Sequence, residues 1–245
     1  MTDDLIPIAD NIWLFPHDPD RAKVQPSVGV VCSSTQTVLI DAGNGPLHAR
    51  RILAVLDKIN APPISHVIYT HHHWDHVFGA CALDARVVAH QLCYDELHED
   101  AAKPWSREFL DEQLAQHPER AISLTAMQNA VDNWDDFRIV LPDEIFTERW
   151  SLQLDGITLE VEHVGGFHAL DSCVVRVKEV GVMFMGDSFY PIPGKQRMNW
   201  KLLNRLLSDH SITTFIHSHG APIRPSLPMR WAVKVRAFLS RFSTH

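Results

Sequence analysis

The sequence lacks long hydrophobic runs, and no stretch approaches the ~18 apolar residues of a membrane-spanning helix. Its amino terminus, Met1 to Asp4, is acidic and lacks the apolar core of a secretory signal. Cysteine is scarce: the four cysteines are scattered without Cys-x-x-Cys spacing, which predicts reduced thiols rather than a disulfide framework. These absences predict a soluble cytoplasmic protein with no membrane partner.

Acidic residues outnumber basic ones, with 30 Asp and Glu against 22 Lys and Arg, which gives a net charge of -8. That balance argues against a nucleic-acid partner, although it leaves a local basic groove open. Internal repeats and low-complexity segments are absent. Hydrophobic residues at 45% and charged residues at 21% are ordinary globular values, and 245 residues can build one large domain over 1–245.

One short motif concentrates the histidines. It follows the apolar Val67-Ile68-Tyr69 and reads Thr70-His71-His72-His73-Trp74-Asp75-His76. The two-residue period of a strand end places His71 and His73 on one face and His72 on the other. An exposed histidine cluster and histidines satisfied in the core are the alternatives, but packing gives no reason to crowd groups that repel when protonated. Three imidazoles and a carboxylate within this stretch instead favour a divalent metal with nitrogen and oxygen ligands.

These seven residues resemble the signature of the metallo-β-lactamase superfamily of metallohydrolases. The resemblance implies an αββα sandwich in which one or two metals lie in loops at one edge of the sheets. The remaining pattern agrees with this α/β fold, because strand-like segments at both ends of the chain alternate with helical ones. The motif is predicted to continue into a helix at Val77 to Leu83.

A stretch of different character lies at about 90–137. Apolar residues recur there at helical spacing among many charges, which predicts a helical insertion of two or three amphipathic helices in the four-layer sandwich. In the superfamily, such insertions roof the active site and select substrates. A helical packing surface or a dimer surface is an equal alternative, so a homodimer is one option for the assembly.

The resemblance also implies the rest of the metal site. His168, Asp187 and His219 each stand where a strand gives way to a loop, and each matches a ligand position of the superfamily. The predicted strand from Thr37 to Gly43 ends in Asp-Ala-Gly, and its Asp41, if it is not simply a turn residue, matches a residue of the superfamily that supports the metal loop from behind. Other histidines match no ligand position and are predicted to be structural: His66, His90, His163, His210 and His217. The implied ligands are His71, His73 and His168 for one metal and Asp75, His76 and His219 for the other, with Asp187 between them.

Seven ligands exceed what one tetrahedral metal can use, so two divalent ions are expected. Mixed nitrogen and oxygen donors suit Zn²⁺ best, while iron and manganese also fit. Two such ions would generate a hydroxide nucleophile near neutral pH, which implies a hydrolase. Asp75 and Tyr190 are the residues predicted to take part in catalysis.

The substrate is predicted to be a small molecule with an ester, lactone or thioester bond. The histidine motif is similar to that of the glyoxalase II thioesterases, but only 26 residues follow His219, fewer than their glutathione-binding helical domain needs. The spacing Asp187-x-x-Tyr190 is similar to that of quorum-quenching lactonases, in which the tyrosine hydroxyl contacts the lactone. Lys195 and Arg197 could contact a substrate carboxylate or be plain surface charges. A β-lactam hydrolase, a phosphodiesterase and a non-catalytic metal-binding scaffold are the alternatives.

Overall fold

The computed structural model describes residues 4–190 and 198–240. In these residues, twelve strands form two sheets. The first seven strands are β1 (Ile6–Ala9), β2 (Ile12–Phe15), β3 (Val28–Cys32), β4 (Thr37–Ile40), β5 (Ile64–Ile68), β6 (Arg86–His90) and β7 (Glu144–Phe146). The other five are β8 (Arg149–Leu154), β9 (Ile157–His163), β10 (Cys173–Val177), β11 (Val182–Phe184) and β12 (Thr214–Ile216).

The seven-stranded first sheet follows chain order from β1 to β7. Its β1–β4 half is antiparallel, whereas β4 to β7 pair in parallel. The parallel half needs crossover connections, which helices supply. Because parallel strands end at the same edge, the loops after β4 and β5 emerge side by side. Those two loops carry Asp41 and the histidine motif.

The five-stranded second sheet has the order β12-β11-β10-β9-β8. Only β11 and β12 pair in parallel, with Phe184 opposite Ile216. Strand β9 alternates as its sequence predicts: Ile157, Leu159 and Val161 are buried, and the residues between them are half-buried. The loops after β9, β11 and β12 carry His168, Asp187 and His219.

In the part of the chain that the structure describes, seven α-helices cover the outer faces of the two sheets. They are α1 (Pro46–Lys58), α2 (Trp74–Val77), α3 (Gln91–Ala101), α4 (Arg107–Gln116), α5 (Ala121–Ala130), α6 (Trp200–Leu207) and α7 (Leu227–Leu239). Among the described residues, none of these helices is long and apolar enough to span a bilayer.

Three buried clusters define the layers. One lies between the sheets and includes Val31, Ile68, Leu159 and Phe184. The second lies between the first sheet and α1–α5, and the third lies between the second sheet and α6–α7. This arrangement is the predicted four-layer αββα sandwich of the metallo-β-lactamase type.

The helical insertion is confirmed as the three helices α3, α4 and α5. Their apolar residues, among them Leu97, Leu110 and Leu124, are buried in the same cluster as the outer face of the first sheet. Helix α4 begins where the Ser106 side chain accepts the backbone N–H of Phe109, and α3 begins with the same kind of cap from His90. The insertion therefore completes a layer of the sandwich, as the packing alternative predicts.

The helix predicted at Val77 to Leu83 differs from what is observed. Helix α2 begins already at Trp74, and a 3₁₀ helix, Phe78–Ala82, follows it. The reason is close packing: a Cβ at Gly79 would lie 2.0 Å from the carbonyl oxygen of Ala42. Gly79 also donates its backbone N–H to Gly43 at 3.0 Å, which draws the turn against the loop after β4. The sequence also predicts a helix from Arg197 to Leu207, whereas the observed helix α6 begins at Trp200; residue 197 itself lies outside the described residues.

Candidate metal centre

The loop after β4 anchors the histidine motif. Asp41 has a left-handed backbone, with φ at 67°, and its carboxylate accepts the backbone N–H of Thr70 at 2.7 Å. Its Oδ2 also accepts the Thr70 hydroxyl at 3.0 Å and lies 2.7 Å from Nδ1 of His76. The predicted support of the metal loop by Asp41 is confirmed by these contacts.

The same network orients two imidazoles. Nδ1 of His76 donates to Asp41, and Nδ1 of His71 lies 3.1 Å from the Thr70 hydroxyl oxygen. With Nδ1 of each ring occupied in this way, Nε2 is left to face the space between the loops. A hydrogen bond at one ring nitrogen fixes which nitrogen can bind a metal, so the carboxylate sets the orientation of both rings.

A first group of donor atoms consists of His71, His73 and His168, whose ligand atoms all lie within 4.8 Å of one another. The ring centroids of His71 and His73 are 4.5 Å apart, and those of His73 and His168 are 4.6 Å apart. Nε2 of His168 lies 2.9 Å from Nδ1 of His73. His168, within Phe167-His168-Ala169, therefore lies beside the histidine motif, as predicted.

A second group consists of Asp75, His76, Asp187 and His219, again with ligand atoms within 4.8 Å. Nε2 of His219 lies 3.1 Å from Oδ2 of Asp75 and 3.3 Å from Oδ2 of Asp187. The same Asp187 oxygen lies 3.6 Å from Nε2 of His76. It also lies 3.5 Å from Nε2 of His168 in the first group, so this oxygen is near both groups.

The electrostatics of the two groups differ. Burial, together with the neighbouring His168, lowers the pKa of His73 to about 4, so its ring is neutral at pH 7. Burial acts to lower the pKa of His219 as well, but hydrogen bonds to Asp187 and Asp75 outweigh it and raise that pKa to about 9. Burial opposes ionisation of Asp187, but His76 and His219 hold the pKa of its carboxyl well below the usual range. The donor atoms of the second group therefore bind protons at positions that a metal cation could occupy.

Buried polar atoms without partners test whether a metal fits. Among the described residues, the buried side-chain atoms without a hydrogen-bond partner include Nε2 of His71, Nε2 of His76 and Oδ1 of Asp187 in the two groups, and also Nε1 of Trp134 and Oγ of Ser188 outside them. Such atoms are rare in folded proteins because desolvation without a partner is unfavourable. The first three converge on one place and are nitrogen or carboxylate donors. The donor set therefore fits a dinuclear metal site.

His72, the middle histidine of the motif, belongs to neither group. Its backbone N–H donates to Oδ2 of Asp171 at 2.7 Å, and its Nδ1 lies 3.0 Å from Oδ1 of the same carboxylate. The prediction that His72 faces away from His71 and His73 agrees with this contact. Asp171 was missed by the sequence analysis, since no local pattern links it to a motif 99 residues away.

Tyr190 lies beside the two groups. Its ring centroid is 6.0 Å from that of His219 and 6.4 Å from that of His168. Its hydroxyl is 2.5 Å from Nδ1 of His217, a residue that the sequence analysis treated as structural. Burial lowers the pKa of His217, so its ring is neutral at pH 7. The tautomer of that ring decides whether Nδ1 accepts the Tyr190 proton or donates to the hydroxyl oxygen.

Other predicted residues lie elsewhere. His90 and His163 stack at 3.8 Å between centroids and bind the backbone carbonyls of Thr147 and Leu170, which agrees with a structural role. His66 contacts Ser65 at 2.9 Å. Lys195 and Arg197 lie outside the described residues. The insertion contacts the motif where Nε1 of Trp74 donates to the hydroxyl of Ser123 at 2.9 Å.

Comparisons with known structures agree with this fold. A stereoselective inverting sec-alkylsulfatase from Pseudomonas sp. is similar, with a TM-score of 0.71 and 15% identity over 98% of this chain. The chain spans 42% of the length of that enzyme. A metallo-beta-lactamase from Pontibacter korlensis gives a TM-score of 0.65 and 16% identity, over 96% of this chain and 98% of that one. At these identities the likeness concerns the fold.

A further similar structure is a metallo-beta-lactamase family protein from Thermus thermophilus, with a TM-score of 0.63 and 17% identity over 95% of this chain and 80% of that one. Comparison with curated protein sequences finds no match. The sequence profile of the metallo-beta-lactamase superfamily matches residues 21–214, a span that contains most of the two donor groups and of the two sheets. The chain belongs to the metallo-beta-lactamase superfamily.

Proposed function

We propose that this protein is a dinuclear metal-dependent hydrolase that acts on a small-molecule ester, lactone or thioester, with Zn²⁺ as its metal. The observation that carries the proposal is the convergence of seven nitrogen and oxygen donors in two adjacent groups. One oxygen of Asp187 lies within 3.6 Å of donor nitrogens in both. His71, His73 and His168 would hold one ion, Asp75, His76 and His219 the other, and Asp187 both.

Two divalent cations in this position supply a water of lowered pKa and a positive charge beside the scissile bond. The chain's own residues do the rest. Burial opposes ionisation of Asp75, but His76 and His219 hold the pKa of its carboxyl well below the usual range. The Asp75 carboxylate therefore stays ionised at neutral pH and can orient a water by accepting a hydrogen bond from it. Asp41 and Thr70 keep the imidazoles in place during turnover.

Tyr190 is proposed to contact the substrate. Burial raises the pKa of its hydroxyl, so the group stays protonated at neutral pH. When its proton is directed to His217, the oxygen can accept a hydrogen bond; turned toward the metal centre, the hydroxyl can donate one to a substrate oxygen. His217 holds the ring at the edge of the centre in either case.

The choice of bond rests on similarity of motifs. The histidine motif is similar to that of thioesterases and the Asp187-x-x-Tyr190 spacing to that of lactonases, which supports a carbonyl substrate. The similar structures include an alkylsulfatase and β-lactamases, so sulfate esters and β-lactams belong in any substrate test. From another class, a metal-binding scaffold without turnover would keep the ions but hydrolyse nothing.

The test is proton release from weakly buffered, zinc-loaded protein. The substrates are an acyl-homoserine lactone, an aryl ester, an acyl-glutathione thioester, a β-lactam and a secondary alkyl sulfate. His73→Ala should abolish turnover, whereas His98→Ala, which changes an exposed histidine outside both groups, should leave it unchanged. Metal content is measured on each variant. Turnover of the sulfate ester alone would overturn the carbonyl preference, and two bound ions with no turnover of any substrate would favour the scaffold.

A further inference from the structure

The closing helix α7 presents an apolar stripe to solvent. Leu227, Trp231 and Leu239 are 77%, 68% and 54% exposed. With half-buried Val235 they recur every fourth residue, so at about 100° per residue they share one face of the helix. Single exposed apolar side chains are ordinary, but a stripe along a whole helix marks a surface that binds something.

Helix α7 packs tightly against the molecule through its opposite side, so the apolar stripe is not part of the protein core. Val233 and Ala237, on the opposite side, are buried against the second sheet's outer layer. Arg230 donates to the backbone carbonyls of Leu207 and Ile212, and its guanidinium lies 5.6 Å from the ring centroid of Phe215. The core uses one side of α7 and leaves the apolar stripe outside.

Positive charge borders the stripe. Lys234 lies along one edge and Arg236 along the other, both exposed, and the Arg236 guanidinium lies 5.7 Å from the ring centroid of Trp200 on α6. Helix α7 contains no acidic residue. The charge extends over the whole layer: residues 198–240 contain six Lys and Arg but a single acidic residue, Asp209. The full chain carries a net charge of -8, so this layer is opposite in sign to the rest of the molecule.

A second copy of this chain is a poor occupant for the stripe. If two α7 helices packed along their stripes, the cationic edge of one would face a cationic edge of the other in both the parallel and the antiparallel arrangement. Neither edge offers a carboxylate to relieve that repulsion. The occupant should therefore combine an apolar interior with negative charge on both sides.

We propose that α7 binds the surface of an anionic lipid bilayer. Leu227, Trp231 and Leu239 would enter the boundary between headgroups and acyl chains, while Lys234 and Arg236 would lie at the level of the phosphates. A bilayer supplies negative charge along both edges at once, and the acidic remainder of the molecule faces away from it. The absence of a long apolar run predicts only that no helix spans the bilayer, and it does not detect a helix that lies flat on the surface.

The test uses the full-length, zinc-loaded protein and sedimentation with vesicles of phosphatidylcholine, with or without phosphatidylglycerol. We expect binding only to the vesicles with phosphatidylglycerol, weakening as salt is raised. Leu227→Ser with Trp231→Ser should lower the affinity about tenfold or more, and Lys234→Glu should lower it severalfold. The control Ile122→Ser removes a side chain that is 66% exposed on α5 and should change nothing.

Metal content and thermal unfolding of each variant show whether it is folded, independently of any hydrolytic activity. Equal binding to neutral vesicles, or binding that survives the double substitution, would overturn the proposal. So would a dimer by light scattering that the double substitution converts to a monomer, because the stripe would then pair two copies. A protein that stays monomeric and binds neither kind of vesicle would also overturn the proposal.

Discussion

Asp171 and His72 are joined twice, through the backbone N–H at 2.7 Å and through Nδ1 of the imidazole at 3.0 Å. The Asp171 side chain is fully buried. It stands three residues after His168, so this pair ties the loop of one candidate ligand to the loop that carries His71 and His73. The pair thus fixes the distance between parts of the first donor group.

Asp171→Asn should weaken metal binding. The amide keeps the shape of the side chain but loses the charge that holds both contacts with His72. Substitutions behind a metal ligand typically cost about 10–100-fold in metal affinity, and we expect about tenfold here. Competition with a chromogenic chelator measures the affinity, with exposed Asp84→Asn as the matched control. Equal affinities of the two variants would show that Asp171 has only a folding role.

Tyr190→Phe should leave metal content unchanged and reduce kcat about tenfold or more on the substrate identified, because one hydrogen bond to the reacting group is lost. Tyr94→Phe, on α3, is the control for removing a tyrosine hydroxyl. Steady-state kinetics separate kcat from KM. If only the melting temperature changed, the hydroxyl would serve to hold His217 and not the substrate.

Gly79→Ala should destabilise the protein, because the new Cβ would lie 2.0 Å from the carbonyl oxygen of Ala42. Neither backbone can move without shifting Asp41 or His76, so we expect a loss of about 2 kcal/mol or more in unfolding free energy. Urea unfolding of metal-free protein measures it. Gly156→Ala is the control: its φ is 74°, but its Cβ would meet open space, so only the backbone cost of about 1 kcal/mol applies.

His90 should make stability depend on pH. Burial lowers its pKa, so the folded protein keeps the ring neutral while the unfolded chain takes up a proton below about pH 6.5. The stabilising contribution is present above that pH and is lost as the pH falls through the lowered folded pKa. His90→Asn should reduce the slope of unfolding free energy against pH by up to about 1.4 kcal/mol per unit.

The matching control is Ile52→Val, which shortens a fully buried side chain of α1. It should lower stability by the same amount at every pH, since it removes packing but no titrating group. Urea unfolding of the metal-free proteins between about pH 5.5 and 7.5 measures both slopes. Identical slopes in the His90→Asn and unaltered proteins would contradict the prediction.

The sequence predicts the site well because its donors follow strands. His71 to His76, His168, Asp187 and His219 each come where an apolar run ends, and the sheets bring those ends together. Contacts between separate loops are a different matter. Asp171 and His217 act through partners 99 and 27 residues away, and no periodicity along the chain encodes such pairs.

The helical boundaries show the same limit. The helix predicted at Val77 begins at Trp74 and tightens into a 3₁₀ helix, because Gly79 must approach Ala42. The sequence does not predict strand β1, because its four residues include Pro7 and form an exposed edge of the sheet. Local sequence patterns locate the helices and strands, whereas close contacts between backbone segments determine where those elements end.

Each of the two donor groups takes residues from both sheets: His71 and His73 from the first with His168 from the second, and Asp75 and His76 from the first with Asp187 and His219 from the second. Ions held there would link the two halves of the sandwich at one edge. In the unfolded chain, the same links would close loops of roughly 100 residues or more. Loading such a site would thus raise the free energy of unfolding of both sheets together. The buried cluster between the sheets couples the two halves in metal-free protein as well, so bound ions would add to a cooperativity that the core already supplies.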